Sequence, residues 1–226
     1  MLENVGLSFH LLLESIAEGK LIHLFHQQVF RSRLITPVVM DLTVLDPAQD
    51  PLRGTECSFI ELDLDQIRAG IYSFAVKSRR FKAFRNIRRG MRGFALVKDG
   101  RVLGDLWCLA PREKGRRVQH PDLDMLKIIC AEGEAYAQDM LIDPAYRGKN
   151  LAVPLLRSLH LELKKEGWRK VYGCFWDDNI PAMWMHRMLK FKELPKCRVS
   201  RFFRWIRSES QPQPGLSADY AENCSQ

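Results

Sequence analysis

One turn, between an apolar run and an amphipathic segment, most constrains the fold of this chain. Residues 135–142 have the apolar composition of a buried strand, and over residues 151–163 a leucine recurs at every fourth position, as on one face of a helix. The intervening residues 143–150 include Gly148 between the basic residues Arg147 and Lys149. A strand that enters a helix through such a turn presents free backbone N–H groups to an anion. The sequence therefore predicts a pyrophosphate-binding turn.

A second helix follows the next apolar segment, residues 170–176, which we predict to be a strand. Asn179 is a favourable N-cap, and Pro181 is tolerated in the first turn of a helix. His186 follows Asn179 by seven residues, which is about two helical turns, so the two side chains share one face. The order of strand, basic turn, helix, strand and Asn-capped helix is more specific than either segment alone.

These segments resemble the acetyl-CoA signature of the GNAT superfamily of N-acetyltransferases. Residues 147–152 are similar to Q/R-x-x-G-x-G/A, with Asn150 at the first glycine position. Residues 179–191 are similar to N-x-P-A-x-x-x-Y-x-x-x-G-F, with His186 at the tyrosine position and Lys190 at the glycine position. The resemblance implies an α/β (α+β) fold, in which a mixed, mostly antiparallel central sheet is flanked by helices, with extra N-terminal helices in this chain.

The resemblance also implies a reaction, the direct transfer of an acetyl group from acetyl-CoA to an amine of a small molecule or a protein. In this family a backbone N–H near the end of the cofactor strand polarises the thioester carbonyl, and the turn after that strand holds the pyrophosphate. The residues that would bind acetyl-CoA are then Met140, Leu141, Ile142, Arg147, Gly148, Lys149, Asn150, Leu151, Ala152 and Asn179.

Two residues are predicted to be catalytic. A lysine-like amine has a pKa of about 10.4, so its deprotonation at pH 7 costs roughly 4–5 kcal/mol without help. Glu134 ranks first as the base, ahead of Gln138 and Asp139. The resemblance places His186 where the family's tyrosine protonates the leaving thiolate. The alternative for each residue is a structural or groove-lining role without a part in the chemistry.

Composition limits the setting for this chemistry. The chain has 226 residues, of which 46% are hydrophobic, enough for one domain with additions. No apolar run is long enough to span a bilayer, and no basic segment precedes the first apolar stretch, so we predict a cytoplasmic protein. The six cysteines lack C-x-x-C spacing, and the histidines do not cluster with carboxylates. We therefore expect reduced thiols and no bound metal.

Three segments are predicted along the chain. Residues 1–35 form an N-terminal helical extension, 36–207 the GNAT-like acyltransferase domain, and 208–226 a disordered tail. Within the domain we predict a hairpin over 93–107 and a closing strand over 198–207. The polar stretch 111–124 is either a flexible rim of the acceptor site or an insertion, and we favour the insertion.

The net charge of +8 is distributed unevenly, since residues 77–101 contain ten Lys and Arg against the single acid Asp99. A basic helix over 77–92 supports one alternative function, a protein that binds nucleic acid or an anionic surface. We do not expect nucleic acid as the partner, because such basic faces are usually only solvated. The same helix favours an acidic acceptor. The departures at Asn150, His186 and Lys190 support another alternative, a degenerate domain that binds acyl-CoA without turnover. Oligomeric state stays open, with a homodimer as one alternative.

Overall fold

A computed structural model of the chain describes residues 30–48, 50–112, 117–202 and 205–210. These residues contain ten strands and five α-helices. The strands are β1 (Phe30–Asp41), β2 (Ser58–Leu62), β3 (Ser73–Phe74), β4 (Arg92–Lys98), β5 (Arg101–Leu109), β6 (Glu134–Ile142), β7 (Lys170–Trp176), β8 (Lys192–Glu193), β9 (Cys197–Phe202) and β10 (Trp205–Ser210). The helices are α1 (Leu64–Arg68), α2 (Lys77–Arg88), α3 (Pro121–Leu126), α4 (Ala152–Lys165) and α5 (Ile180–Met188).

All ten strands belong to one sheet, whose main path runs β10-β9-β1-β7-β6-β5-β4-β2, with β3 beside β5 and β8 beside β1. The neighbours on the main path are antiparallel except for β6 and β7, which are parallel. The predicted fold class is confirmed. None of the described helices has the length and apolar composition needed to cross a membrane.

Helices cover both faces of the sheet. Phe94 and Ala95 are consecutive in β4, so their side chains point to opposite faces. Phe94 belongs to the cluster that contains the leucines of α4, among them Leu155 and Leu159. Ala95 belongs to the cluster that contains Ile67 of α1 and Ala83 of α2. A third cluster packs α3 against β6, β1 and β9. The leucine repeat of the sequence is therefore the buried face of α4, as its spacing predicts.

The elements that carry the sequence signals form where local chemistry predicts them. β4 and β5 are a hairpin that turns through Asp99 and Gly100, whose φ angles of 50° and 72° match a tight hairpin turn. β6 and β7 coincide with the two predicted strands. The side chain of Asn179 caps α5 by accepting a hydrogen bond from the N–H of Ala182 at 3.2 Å.

The structure corrects the predictions for the two ends of the domain. Residues 1–29 of the predicted helical extension lie outside the described part of the chain. Its continuation as a helix to residue 35 is wrong, because Phe30–Asp41 is the long strand β1. It lies between β7 and β9 and crosses the predicted boundary at 35/36. The single closing strand predicted over 198–207 is instead the hairpin of β9 and β10, which includes Ser208 and so enters the predicted tail. Most of that tail lies outside the described residues.

Candidate active site

The site begins where β6 and β7 separate. The two parallel strands pair only at their first residues, with Tyr136 opposite Tyr172 as the last pair. Beyond this point both strands continue without pairing to each other. A cavity of about 950 Å³ opens at the separation, and its walls include Gln138 and Met140 of β6 and Gly173 of β7. Two strands that diverge from a shared start thus form a cleft through the middle of the sheet.

A β-bulge interrupts β6 at the open end of the pair. Trp107 of β5 pairs with Gln138, and Asp105 pairs with Leu141, so Asp139 and Met140 together stand opposite one residue of β5. Asp139 has a φ of 55°, a left-handed conformation that is uncommon outside glycine but more frequent for aspartate and asparagine than for most residues. The bulge releases main-chain groups of β6 from the ladder beside the cavity.

A buried ion-pair network holds the bulge. Arg79 of α2 is 6% exposed and binds Asp105 through two nitrogens. It also donates to the side chain of Asp139 (Nη1–Oδ1 2.9 Å) and to the main-chain oxygen of Asp139 (Nη2–O 3.0 Å). The peptide between Asp139 and Met140 is trans, so the N–H of Met140 points away from Arg79. Arg79 therefore fixes the orientation of this peptide group.

The basic turn lies between β6 and α4. Gly148 and Asn150 have φ angles of 79° and 55°, so Asn150 keeps the left-handed backbone at a position where the family pattern has glycine. The side chains of Arg147, Lys149 and Asn150 are exposed, and Leu151 is the buried N-cap residue of α4. No described side chain caps α4, so the N–H groups of Ala152 and Val153 in its first turn have no partner within the helix.

The residue at the other glycine position of the family pattern, Lys190, also has a left-handed backbone. Lys190 follows α5 with a φ of 59°. Its N–H donates to the oxygen of Arg187 at 2.9 Å, and the N–H of Phe191 donates to the oxygen of His186 at 3.0 Å. These two bonds form a Schellman motif, which brings the residue after the turn back onto the helix. The ring of Phe191 consequently lies 4.8 Å from the ring of His186.

His186 is 8% exposed and lines the cavity with Asn179. Its ring lies 5.3 Å from that of Phe175, and its Nδ1 is 2.7 Å from the main-chain oxygen of Ala182. A carbonyl oxygen only accepts, so Nδ1 carries the hydrogen. Burial lowers the pKa of His186 below its usual value, although the bond to Ala182 opposes the shift. The ring is therefore neutral near pH 7, with the lone pair on Nε2.

The other predicted catalytic residue lies elsewhere. Glu134 is at the paired start of β6 and does not line the cavity. Its carboxylate accepts from the N–H of Ala131 (2.8 Å), from Lys170 (3.0 Å) and from the hydroxyl of Tyr172 (3.2 Å). Burial raises its pKa, but these hydrogen bonds outweigh that effect and leave the pKa lowered. Glu134 thus fastens β6 to β7, and this geometry does not support its assignment as a base.

One wall of the cavity was not predicted from the sequence. It is formed by residues of α3 and the residues just before that helix. His120 accepts from the N–H of Asp122 at 3.2 Å, and its Nε2 lies 3.4 Å from Nε2 of Gln138. Both His120 and Asp122 line the cavity, so the described part of the predicted insertion forms a rim of the site. The sequence does contain one indication of α3. Pro121 follows His120, and proline is favoured in the first turn of a helix.

Many cations of the basic segment form ion pairs within the fold. Among the described residues, carboxylates pair with five of the ten cations in residues 77–101: Arg79 with Asp105 and Asp139, Lys82 with Asp139, Arg92 with Glu61 and Glu166, Lys98 with Glu56, and Arg101 with Asp143. The segment is therefore not a continuous free basic face.

No family model matches this chain, and no curated protein matches it in sequence. Several solved structures match it in fold. The GCN5-related glucosamine N-acetyltransferase region of a fungal multi-domain GH3 β-N-acetylglucosaminidase is 16% identical with a TM-score of 0.55, and the match covers 81% of this chain and 22% of that one. A GNAT-family acetyltransferase of Novosphingobium aromaticivorans is 15% identical with a TM-score of 0.50, and the match covers 75% of this chain and 63% of that one.

The chain thus has the fold of the GNAT superfamily of N-acetyltransferases, as its two sequence segments predict. It spans 22% and 63% of the lengths of the two proteins it matches. At these identities the likeness concerns the fold alone.

Proposed function

We propose that the protein is an acetyl-CoA-dependent N-acetyltransferase that transfers the acetyl group directly from the thioester to an amine. The observation that carries this proposal is the bulge at Asp139 and Met140, which lies at the open end of a parted parallel strand pair. One cavity connects this bulge with Asn179 and His186 of the second motif. The basic turn and the uncapped start of α4 follow directly on β6 and suit a pyrophosphate.

The roles of the residues follow from this arrangement. The N–H of Met140 donates to the thioester oxygen as negative charge develops on it. The amine nitrogen attacks the carbonyl carbon, the carbon–sulfur bond breaks, and the thiolate leaves. His186 has a free lone pair on Nε2, so it first accepts the proton that the amine loses and then returns that proton to the thiolate. Arg147 and Lys149 add positive charge beside the phosphates.

The first test is calorimetric titration with acetyl-CoA of the wild type and of the double variant Arg147→Glu, Lys149→Glu. Both side chains are exposed, so the variant is expected to fold, and reversal of two charges at the turn should weaken binding by at least 10-fold. Lys165→Glu, at an exposed lysine at the other end of α4, is the control. Equal affinity in the wild type and the turn variant would contradict this placement of the cofactor.

Release of free CoA distinguishes the enzyme from a degenerate binding domain. Binding of acetyl-CoA without CoA release for any amine would favour the degenerate domain. If acetyl-CoA does not bind and the protein binds DNA or anionic vesicles with strong salt dependence, the basic helix is the functional element.

A further inference from the structure

One wall of the cavity, on the side of α2, carries positive charge. The lining of the cavity includes Lys82, Arg85 and Asn86 of this helix and its C-cap residue Arg89. The bulge residue Asp139 lines the same cavity. The same cavity is also lined by His186, Asn179 and Met140, which the proposed function assigns to acetyl-CoA. The α2 wall is therefore available to the acceptor.

The charges on this wall are unequally compensated. Nζ of Lys82 lies 2.7 Å from Oδ2 of Asp139. Asp122, the other carboxylate of the cavity, lies 3.5 Å from Nδ1 of His120 and 3.4 Å from the hydroxyl of Tyr136. Within the described residues no carboxylate pairs with Arg85 or Arg89. Nε of Arg85 is buried and has no hydrogen-bond partner there.

This arrangement is unfavourable for the protein alone. Arg85 and Arg89 are four residues apart on one helix, a spacing at which like charges repel. Burial and the charge of Arg89 lower the pKa of Arg85, with Asp139 acting in the opposite sense. An unpaired, partly buried cation costs free energy that an anion would offset. Two guanidinium groups offer donors in the geometry that suits carboxylate and phosphate oxygens.

We infer that the acceptor is a small amine that also carries a carboxylate or phosphate group, and that Arg85 and Arg89 bind this anionic group. The inference rests on the proposed function, because the same molecule supplies the amine that is acetylated. The anionic end binds at α2, and the amine end faces the bulge of β6 from within the same cavity.

The test compares anionic amines with neutral counterparts. The panel consists of the L-amino acids against their carboxamides, and O-phosphoethanolamine against ethanolamine, so that its two arms separate carboxylate from phosphate recognition. Binding is measured by calorimetry on the full chain saturated with CoA, and CoA release is measured with acetyl-CoA. At least one anionic amine should bind 10-fold or more tightly than its neutral counterpart. Absence of any such preference across the panel would overturn the inference.

Variants assign the preference to the two arginines. Arg85→Gln with Arg89→Gln should reduce the preference to less than 2-fold, and Arg85→Lys, which keeps the charge without the fork, should give an intermediate value. Lys77→Gln, at the exposed start of α2 and away from the cavity lining, is the control and should retain the wild-type preference. The melting temperature of the double variant should equal or exceed that of the wild type, because a repulsive pair is removed. A lower melting temperature would indicate a structural role instead.

Titration of the same samples with acetyl-CoA separates the two hypotheses. If acetyl-CoA does not bind to the wild type, the proposed function fails. If acetyl-CoA binds and neutral amines bind as well as anionic ones, only the present inference fails. If the double variant loses affinity for acetyl-CoA as much as it loses affinity for the anionic amine, the arginines bind the cofactor. That result would also overturn the present inference.

Discussion

At the scale of single residues, His160 of α4 has an environment that carries a cost. Its side chain is fully buried, and neither ring nitrogen has a hydrogen-bond partner among the described residues. The ring of Phe191 lies 5.2 Å away. Burial lowers the pKa of His160 to about 3, so the folded protein keeps this ring neutral under ordinary conditions. An unpaired buried polar group lowers the free energy of unfolding.

The sign of the pH dependence follows from that pKa. The unfolded chain protonates a histidine near pH 6.5, whereas the folded chain protonates His160 only near pH 3. Protons therefore bind preferentially to the unfolded state, and this group removes stability as the pH falls from about 6.5 towards 3, by about 1.4 kcal/mol per pH unit.

His160→Leu should remove this loss. We expect the variant to be more stable than the wild type at pH 8 by about 1–2 kcal/mol, because two unsatisfied nitrogens leave the core. The difference in free energy of unfolding between the variant and the wild type should be larger by about 3 kcal/mol at pH 4.5 than at pH 8. Urea unfolding at both pH values measures the difference. His160→Gln is the control, because it cannot titrate but stays polar. It should lose the pH dependence without the gain at pH 8, and an unchanged pH dependence in either variant would contradict the assignment.

At the scale of elements, α2 and β6 are joined through the residue that orients the bulge. Arg79 binds Asp105 of β5, the side chain of Asp139 and the main-chain oxygen of Asp139 with one guanidinium group. Burial raises the pKa of Asp105, and the charge of Arg79 opposes this shift. A buried carboxylate left without its partner costs about 3–5 kcal/mol, so complete removal of Arg79 threatens the fold itself.

Arg79→Lys is the informative variant, since it keeps the charge but cannot bind all three groups at once. We expect kcat to fall by about 10- to 100-fold, because the N–H of Met140 loses its fixed orientation, while the affinity for acetyl-CoA changes by less than about 3-fold. Steady-state kinetics and calorimetry provide the two readouts. Arg80→Lys is the matched control, because the adjacent guanidinium donates to the oxygen of Ile67, away from the bulge. Wild-type kcat in Arg79→Lys would contradict a positioning role.

At the scale of the whole molecule, β1 connects the two halves of the sheet. It pairs with β7 on one side and with β9 on the other, so the C-terminal hairpin joins the central strands through an N-terminal one. Val38 of β1 is fully buried and belongs to the same cluster as the leucines of α4. Such shared packing predicts that the described sheet unfolds as one cooperative unit, although the predicted segment boundary falls within β1.

Hydrogen exchange measured by mass spectrometry tests this cooperativity. Amides of β1 and β7 should exchange by global unfolding, and those of the edge strands β2 and β10 should exchange faster. Val38→Ala should lower the protection of β1, β5 and β7 alike, by about 2 kcal/mol. Val44→Ala, at a side chain 75% exposed, should change little. Loss of protection in β1 alone would instead show that the N-terminal strand is a separate unit.

The sequence by itself determined the elements whose signals are local. A period of two or 3.6 residues, an Asn cap and a glycine or basic turn act within a few positions, so β6, α4, β7 and α5 were predictable. The same locality explains why two motif departures left the turn geometry unchanged. Asn150 and Lys190 both keep the left-handed backbone of the glycines they replace, and the bonds that hold Lys190 come from its own helix.

Only the tertiary structure decided which charges are free and which residues share the cavity. Arg92 meets Glu166 across 74 positions, and Arg79 meets Asp139 across 60. Arg85 and Arg89 have no such partners in the part of the chain that the structure describes, although all four arginines belong to one basic run. The placement of β1 and the entry of His120 into the cavity likewise depend on contacts between distant segments. Such pairings are set by the packing of the folded chain, so the local periodicity of the sequence does not predict them.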